Sequence, residues 1–452
     1  MLKININTFS SIIASKAVMK FSKVFFKGGS SFPGKVALKL DKSILKTVSK
    51  GYKVILVTGT NGKTTTTSMI QGMIKDSGKK VISNSTGANM YSGIVACFVD
   101  NYSFSKSRDE KYAVIEVDEA NVKFITEIIT PEIITITNLF RDQLDRYGEV
   151  YTTLKKILEG VEKTSSSKLV LNGDESLLGE LGLPNESVYF GFDTSIEQNT
   201  KVDVNADSKF CKKCKSPYKY HYLTYNHLGK FYCDNCGYER PDLRYSIDKI
   251  VELTPEGSTV EISGNQYYIN VPGTYNIYNM LCAYSVAKEL GIDNEVIYDS
   301  LKSQKSSFGR QETIDIDGKA VKIILVKNPA GYDQAIDTVG LESKKISLIM
   351  LLNDNYADGR DVSWLWDVKF EKLSNLNLDK IFISGIRLYD MALRLKIAGM
   401  SVDKFNIMEN QEELLNGIKE AESDTVYVMA TYTAMINFRK FLNTKGYIKE
   451  LW

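Results

Sequence analysis

Histidine is nearly absent from this chain: His221 and His227 are the only two in 452 residues, and both fall in one cysteine-rich segment. A Cys-His or Ser-His nucleophilic pair within the chain is therefore unsupported, and no histidine is expected in the catalytic site. No apolar run approaches bilayer length; stretches such as Ile346 to Leu352 have the size of buried strands. The N-terminal stretch is broken by Lys16, Lys20 and Lys23 and has no small-residue cleavage site after an unbroken apolar core. It does not read as a signal peptide, and the expected compartment is the cytoplasm. A dominant charge is missing too: 57 Lys plus Arg stand against 55 Asp plus Glu, which leaves no overall field for nucleic acid. The exception is local, since residues 1–50 hold ten lysines and one acid, Asp41. Cysteine is scarce, but four of the six crowd into one short segment, which points to metal ligands rather than a disulfide framework.

What is present describes an ordinary globular protein, 43% hydrophobic and 25% charged, too long for one core. Residues 6–27 carry apolar side chains at helical spacing with lysines between them. That amphipathic helix would either rest on anionic lipid head groups or pack on the core, and residues 1–50 are assigned to the central domain. From Lys53 the chain reads as a buried strand (Val54 to Val57), a glycine turn and a helix from Thr64 to Ser77. Strands at Lys80–Ser83, Ala113–Val117, Ile133–Thr137 and Leu169–Leu171 favour a largely parallel α/β sheet across a central domain of residues 51–310. Residues 205–241 interrupt it as an inserted metal module. A helix follows from Asn276 to Leu290, and residues 311–452 read as a second doubly wound α/β domain, with strands at Lys322–Val326, Ser347–Leu352, Lys380–Ser384 and Thr425–Met429.

Three motifs carry chemistry. Gly59-Thr60-Asn61-Gly62-Lys63-Thr64-Thr65 follows a buried strand and opens a helix, the context a phosphate-binding loop requires. Backbone N–H groups would hold the phosphates of ATP, Lys63 would neutralise the transferring group, and Thr64 would reach Mg²⁺. Glu116 ends a second strand in the run Glu116-Val117-Asp118-Glu119 and is the expected direct or second-sphere Mg²⁺ partner. Asp118 and Glu119 fit better as acids at a helix start. Cys211-x2-Cys214 and Cys233-x2-Cys236, eighteen residues apart, have the spacing of a four-cysteine structural zinc ribbon, with Gly237 suiting the knuckle turn. Cys97 and Cys282 read as small core residues.

Together with Thr137-Asn138-Leu139, Asp142-Gln143-Leu144-Asp145, Gly273-Thr274-Tyr275-Asn276-Ile277-Tyr278-Asn279 and Phe308-Gly309-Arg310-Gln311-Glu312, these residues resemble the Mur ligase family from about residue 35 to the end. The resemblance implies an ATP-dependent carbon–nitrogen ligase that activates a carboxylate as an acyl phosphate. Asn138, Asn276 and Asn279 would lie near the nucleotide, and Arg310 would mark the junction of the domains. Gln143 stands where the family usually has His, and the family's N-terminal nucleotide-sugar domain is not seen. Lys155 is a candidate for the family's carbamylated lysine.

The ribbon and the stretch Asn353 to Trp364 resemble one branch of the family, whose members serve as the ligase subunit beside a separate GatD-type glutaminase. That branch amidates the α-carboxylate of D-glutamate in the stem peptide of lipid II. Asp358 or Asp361 would then orient the partner's histidine, unless the aspartates only cap the next helix, and Trp364 and Trp366 would anchor the interface. The rivals are a folylpolyglutamate synthase-like or muropeptide ligase, a zinc-ribbon ATPase on nucleic acid, and a subunit that holds ATP without turning it over.

Overall fold

The computed structural model describes residues 5–25, 31–84, 88–105, 110–141, 150–196, 200, 208–304 and 310–449. Its first sheet has seven strands in the order Lys80–Ser83, Lys111–Glu116, Tyr52–Thr58, Ile133–Ile136, Lys168–Asn172, Ser187–Phe192 and Tyr245–Ile247. Every neighbouring pair is parallel. Parallel strands of this kind are covered on both faces, and the apolar runs show it. Ile55 and Val57 pack with the helices Lys63–Asp76 and Thr274–Glu289 on one side. Val54 and Leu56, their alternates, pack with the helices Tyr91–Asp100 and Val150–Val161 on the other.

The second sheet has six strands, in the order Arg310–Ile316, Lys319–Leu325, Thr425–Ala430, Ile346–Leu351, Leu378–Ser384 and Phe405–Ile407. Only its first pair is antiparallel, so the sheet is mixed. A small antiparallel sheet of three strands, Lys249–Leu253, Ser258–Ile262 and Asn265–Ile269, adjoins the first.

The cysteine segment supplies a two-stranded hairpin, Lys219–Tyr225 with Leu228–Tyr232. The sequence treats it as an inserted module, yet its tip is driven into the main core. Leu228 and Tyr225 pack in the same apolar cluster as Ile55, Phe140 and Tyr278. Aliphatic residues are rare here, so periodicity hides a contact that aromatic rings make.

Candidate active site

The central strand Tyr52–Thr58 lies between Lys111–Glu116 and Ile133–Ile136, with Val57 opposite Glu116 and Thr58 opposite Ile136. Strand order reverses here, and the crevice beyond the carboxyl ends of such strands is where α/β sheets take ligands. Gly59 and Gly62 hold φ of +119° and +84°, and a Cβ on Gly62 would sit 1.9 Å from Asn279 Oδ1. The loop needs glycine at both places.

Asn138 clamps that loop. Its carbonyl accepts from Thr60 N (3.0 Å), its Oδ1 accepts from Asn61 N (2.9 Å), and its Nδ2 donates to Asn61 O (3.1 Å). Lys63 Nζ donates to Gly59 O (2.5 Å) and pairs with Glu119 Oε1 at 2.8 Å. Thr64 is half-buried in the first helical turn and Thr65 is buried. Across the loop, Asn279 Nδ2 donates to Asn276 Oδ1 (3.1 Å), and Asn276 Nδ2 to Pro272 O (2.7 Å). From the C-terminal domain, Asn328 Nδ2 reaches Asn61 Oδ1 at 3.2 Å, and Lys327 Nζ lies 3.5 Å from Thr60 O. Beside these groups an open cleft is lined by Asn61, Gly62, Thr65, Tyr225, Asn276, Asn279, Lys327 and Gln334 among others.

Glu116 is buried at this edge. Its Oε1 accepts from Asn89 Nδ2 at 3.0 Å, while its Oε2 has no hydrogen-bond partner among the described residues. A buried, orphaned carboxylate oxygen beside a phosphate loop is the donor a hard cation takes, so the residues present fit Mg²⁺. Asp118 does cap the short helix after it, accepting from Ala120 N at 3.1 Å. Glu119 does stand in the first turn of that short helix, and its side chain turns inward to Lys63.

The four cysteine sulfurs lie within 4.8 Å of one another, with Cys211–Cys236 at 3.5 Å and Cys214–Cys233 at 3.4 Å. Sulfurs around a tetrahedral zinc bound at about 2.3 Å stand about 3.8 Å apart, so this set fits one Zn²⁺ with no open position. Both knuckles close through left-handed residues, Lys215 (φ 66°) donating to Cys211 O and Gly237 (φ 69°) donating to Cys233 O.

Sequence reasoning missed how the ribbon reaches the loop. His227, set aside as part of the metal module, is fully buried, with Nε2 2.8 Å from Glu175 Oε2. That same oxygen accepts from Leu139 N at 3.3 Å, next to Asn138. Tyr225 stacks on Phe140, with centroids 5.6 Å apart and planes 17° apart. A second tether runs from Arg240 through Asp174 (3.0 Å) to the hydroxyl of Tyr278 (2.6 Å), on the helix that carries Asn276 and Asn279. Among the free thiols, burial pushes Cys97 and Cys282 up to about 12, which leaves them inert.

The aspartate stretch divides by burial. Asp358 is buried and accepts from Thr433 N (2.7 Å), Thr433 Oγ1 (2.5 Å) and Asn355 N (3.1 Å); burial raises its carboxyl above the usual range against those bonds. Asp361 is exposed, and the hydrogen bond from Ser363 N (2.8 Å) lowers its pKa. Trp364 turns toward the core beside Tyr332, whereas Trp366 is exposed. Lys155 is exposed on its helix. Arg310 pairs through its backbone with Ile324, while residues 142–145, Phe308 and Gly309 lie outside the described residues.

A phosphate loop at the switch point of a parallel sheet, faced by a second α/β domain, defines a Mur-type nucleotide site. The Mur ligase middle domain matches residues 57–238, and the MurT ligase C-terminal domain matches residues 325–435. The chain is 40% identical over 422 residues to the lipid II isoglutaminyl synthase (glutamine-hydrolyzing) subunit MurT of Streptococcus pneumoniae, covering 93% of this chain and 94% of the relative. Identity to the subunit of the same name from Staphylococcus aureus is 34%, over 87% and 89% of the two chains. Among solved structures, a pseudomurein peptide ligase type C from Methanothermus fervidus superposes with a TM-score of 0.69 at 20% identity, over 97% of both chains. MurF ligase from Thermotoga maritima in complex with ADP gives 0.61 at 14% identity, over 93% of this chain and 84% of that one. The chain belongs to the Mur ligase family, and within it to the MurT ligase subunits.

Proposed function

We propose that this chain is the ATP-consuming ligase subunit of a lipid II-amidating enzyme, converting D-glutamate of the stem peptide to D-isoglutamine with ammonia from a separate glutaminase. The observations that carry the ligase chemistry are the buried Lys63 of the phosphate loop and the orphaned Oε2 of the buried Glu116 at the end of the neighbouring strand, with a cleft lined by Asn61, Gly62 and Thr65 of the same loop. A carboxylate oxygen of the acceptor attacks the γ-phosphorus of ATP, and ADP leaves. Ammonia then attacks the acyl carbon of the mixed anhydride, and phosphate departs as the nitrogen loses a proton. Mg²⁺, held by Glu116 and Thr64, would supply charge neutralisation on the phosphates. Lys63 and the loop N–H groups orient and neutralise, which is most of what phosphoryl transfer asks of a protein. Asn276 and Asn279 hold the nucleotide against the loop, and Arg310 belongs to the hinge between domains.

The partner reading rests on a second surface. Tyr389, Leu393 and Ile397 form an exposed stripe at i, i+4 and i+8, joined by exposed Ile386, Tyr356 and Trp366. The aspartate loop is tied to this stripe by Asn353 Oδ1, accepting from Ile386 N (2.9 Å), and by Arg387 with Asp354 (3.0 Å). A GatD-type glutaminase seated there would meet the charged, exposed Asp361.

The test is amidation of lipid II by the purified chain with ATP and Mg²⁺, followed by mass spectrometry. Ammonium should suffice alone, and glutamine should serve only with the glutaminase present. Attachment of a free amino acid instead would replace this reading with an ordinary amino-acid-adding ligase.

A further inference from the structure

The first helix, Ile6–Phe25, carries apolar side chains on both its buried and its outer side, with Ile12 and Met19 buried. Its buried side includes Thr8, Ser11 and Ser15, whose hydroxyls donate to Asp41 Oδ2 (2.5 Å), Ala37 O (2.8 Å) and Pro33 O (2.9 Å). Its outer side carries Ile6, Phe9 and Ile13, which are 82%, 49% and 46% exposed. Spacings of three and four residues align them as one stripe. Phe104, itself exposed, extends the stripe beyond the helix, with its ring 5.3 Å from that of Phe9. A helix on a water-facing surface puts its apolar stripe on the core and its hydroxyls outward. Here Ile12, Met19 and the three hydroxyls dock the helix, and a second apolar stripe faces away from the protein.

The surroundings are basic. Lys20, Lys35 and Lys39 are exposed on this helix and the next, and Lys16 Nζ donates to Tyr102 O at 2.7 Å beside the Phe104 ring. Only one acid, Asp41, offsets the ten lysines of residues 1–50, and Thr8 engages it. We propose that this face docks on an anionic lipid surface, with Ile6, Phe9, Ile13 and Phe104 entering the head-group boundary and the lysines meeting lipid phosphates. Charge selects this occupant over a second copy of the chain, which would bring lysines against lysines. Among the described residues no helix is long and apolar enough to cross a membrane, so the element lies in the interface rather than through it. The inference deepens the proposed function, since an acceptor carried on lipid must be met at a bilayer. It is scored without nucleotide or acceptor, so it stands or fails separately.

The experiment is co-sedimentation of the full chain with vesicles of phosphatidylglycerol and phosphatidylcholine in equal parts, against pure phosphatidylcholine. Binding to the anionic vesicles should be at least tenfold stronger. The double variant F9E/I13E should lose at least tenfold of that binding, with Tm and ADP affinity unchanged. Absence of binding, or equal binding by the variant, overturns the proposal. A self-associating wild type that F9E/I13E makes monomeric, without vesicle binding, assigns the face to a second copy instead. Loss of ADP binding in the wild type would count against the ligase reading and not against this one.

Discussion

Lys63 and Glu119 form a buried ion pair under the phosphate loop, with Nζ and Oε1 2.8 Å apart and neither side chain more than a tenth exposed. The pair holds the lysine in place where no phosphate neutralises it, so an arriving nucleotide competes with Glu119 for the same charge. Lys63→Ala is expected to lower acceptor-dependent ATP consumption at least about 100-fold. Glu119→Gln is expected to strengthen ADP binding while costing about 2–4 kcal/mol of stability, because it leaves a buried ammonium short of its partner. Calorimetric titration with ADP and a thermal melt read both. Weaker ADP binding in the glutamine variant would mean that Glu119 acts on the nucleotide's side.

Glu116→Gln keeps the shape and the oxygen that Asn89 bonds at 3.0 Å, but removes the charge on the orphaned Oε2. The expected outcome is selective: ADP affinity without Mg²⁺ stays near wild type, and the gain that Mg²⁺ normally adds falls about tenfold or more. Equal Mg²⁺ enhancement in both proteins would remove Glu116 from the metal site.

Five strands of the first sheet and four of the second were legible because they are aliphatic runs of the length that parallel sheets bury, and the glycine loop between strand and helix because its residue types have no rationale in folding alone; Ser187–Phe192, Tyr245–Ile247, Arg310–Ile316 and Phe405–Ile407 lack such runs and were not. The approach of the hairpin tip was not legible. Tyr225 and His227 reach the site through ring stacking and a buried His–Glu contact, and neither leaves a period in the sequence. The ion pair of Glu119 was missed for a related reason: acids at a helix start look alike until the fold brings a lysine to one of them. Asp358 and Asp361 are three residues apart, and only burial separates them.

Because the hairpin tip walls the nucleotide cavity, the ribbon should matter to binding although its sulfurs bear no chemistry. Tyr225→Ala should weaken ADP binding by about 1–3 kcal/mol, as loss of a base-stacking ring does, and leave tripolyphosphate binding unchanged. Removal of zinc by a chelator should lower both Tm and ADP affinity, since the tethers through Glu175 and Asp174 lose their support. A chelated protein with unaltered ADP affinity would make the ribbon a bystander.

Asp361→Ala should abolish glutamine-driven amidation in the presence of the glutaminase and spare the ammonium-driven reaction. Asp358→Ala should instead lower stability by about 1–3 kcal/mol, because it strips a buried acceptor from Thr433 N and Asn355 N. Melting temperature and the ratio of the two activities distinguish the residues; loss of ammonium-driven activity in the Asp361 variant would sink the division of roles.

Asp333 gives a pH signature in the cleft between the domains, where it lines a wider opening with Asp337, Lys369 and Lys372. Burial raises its carboxyl from 3.8 to about 6, against the lowering effects of the bond from Lys369 N (2.8 Å) and of nearby Lys369 and Lys372, while Asp337 adds to the rise. The folded state thus favours the neutral acid. Below about pH 4 the group is protonated folded or unfolded and costs nothing; the penalty grows as pH climbs through 6 and levels off at about 3 kcal/mol. Asp333→Asn keeps an oxygen for Lys369 N without the charge. Its stability relative to wild type should therefore be greatest above pH 7 and shrink toward zero near pH 4, as urea unfolding at several pH values would read. A difference that stays flat from pH 4 to pH 8 would mean that the carboxyl is not held neutral by the fold.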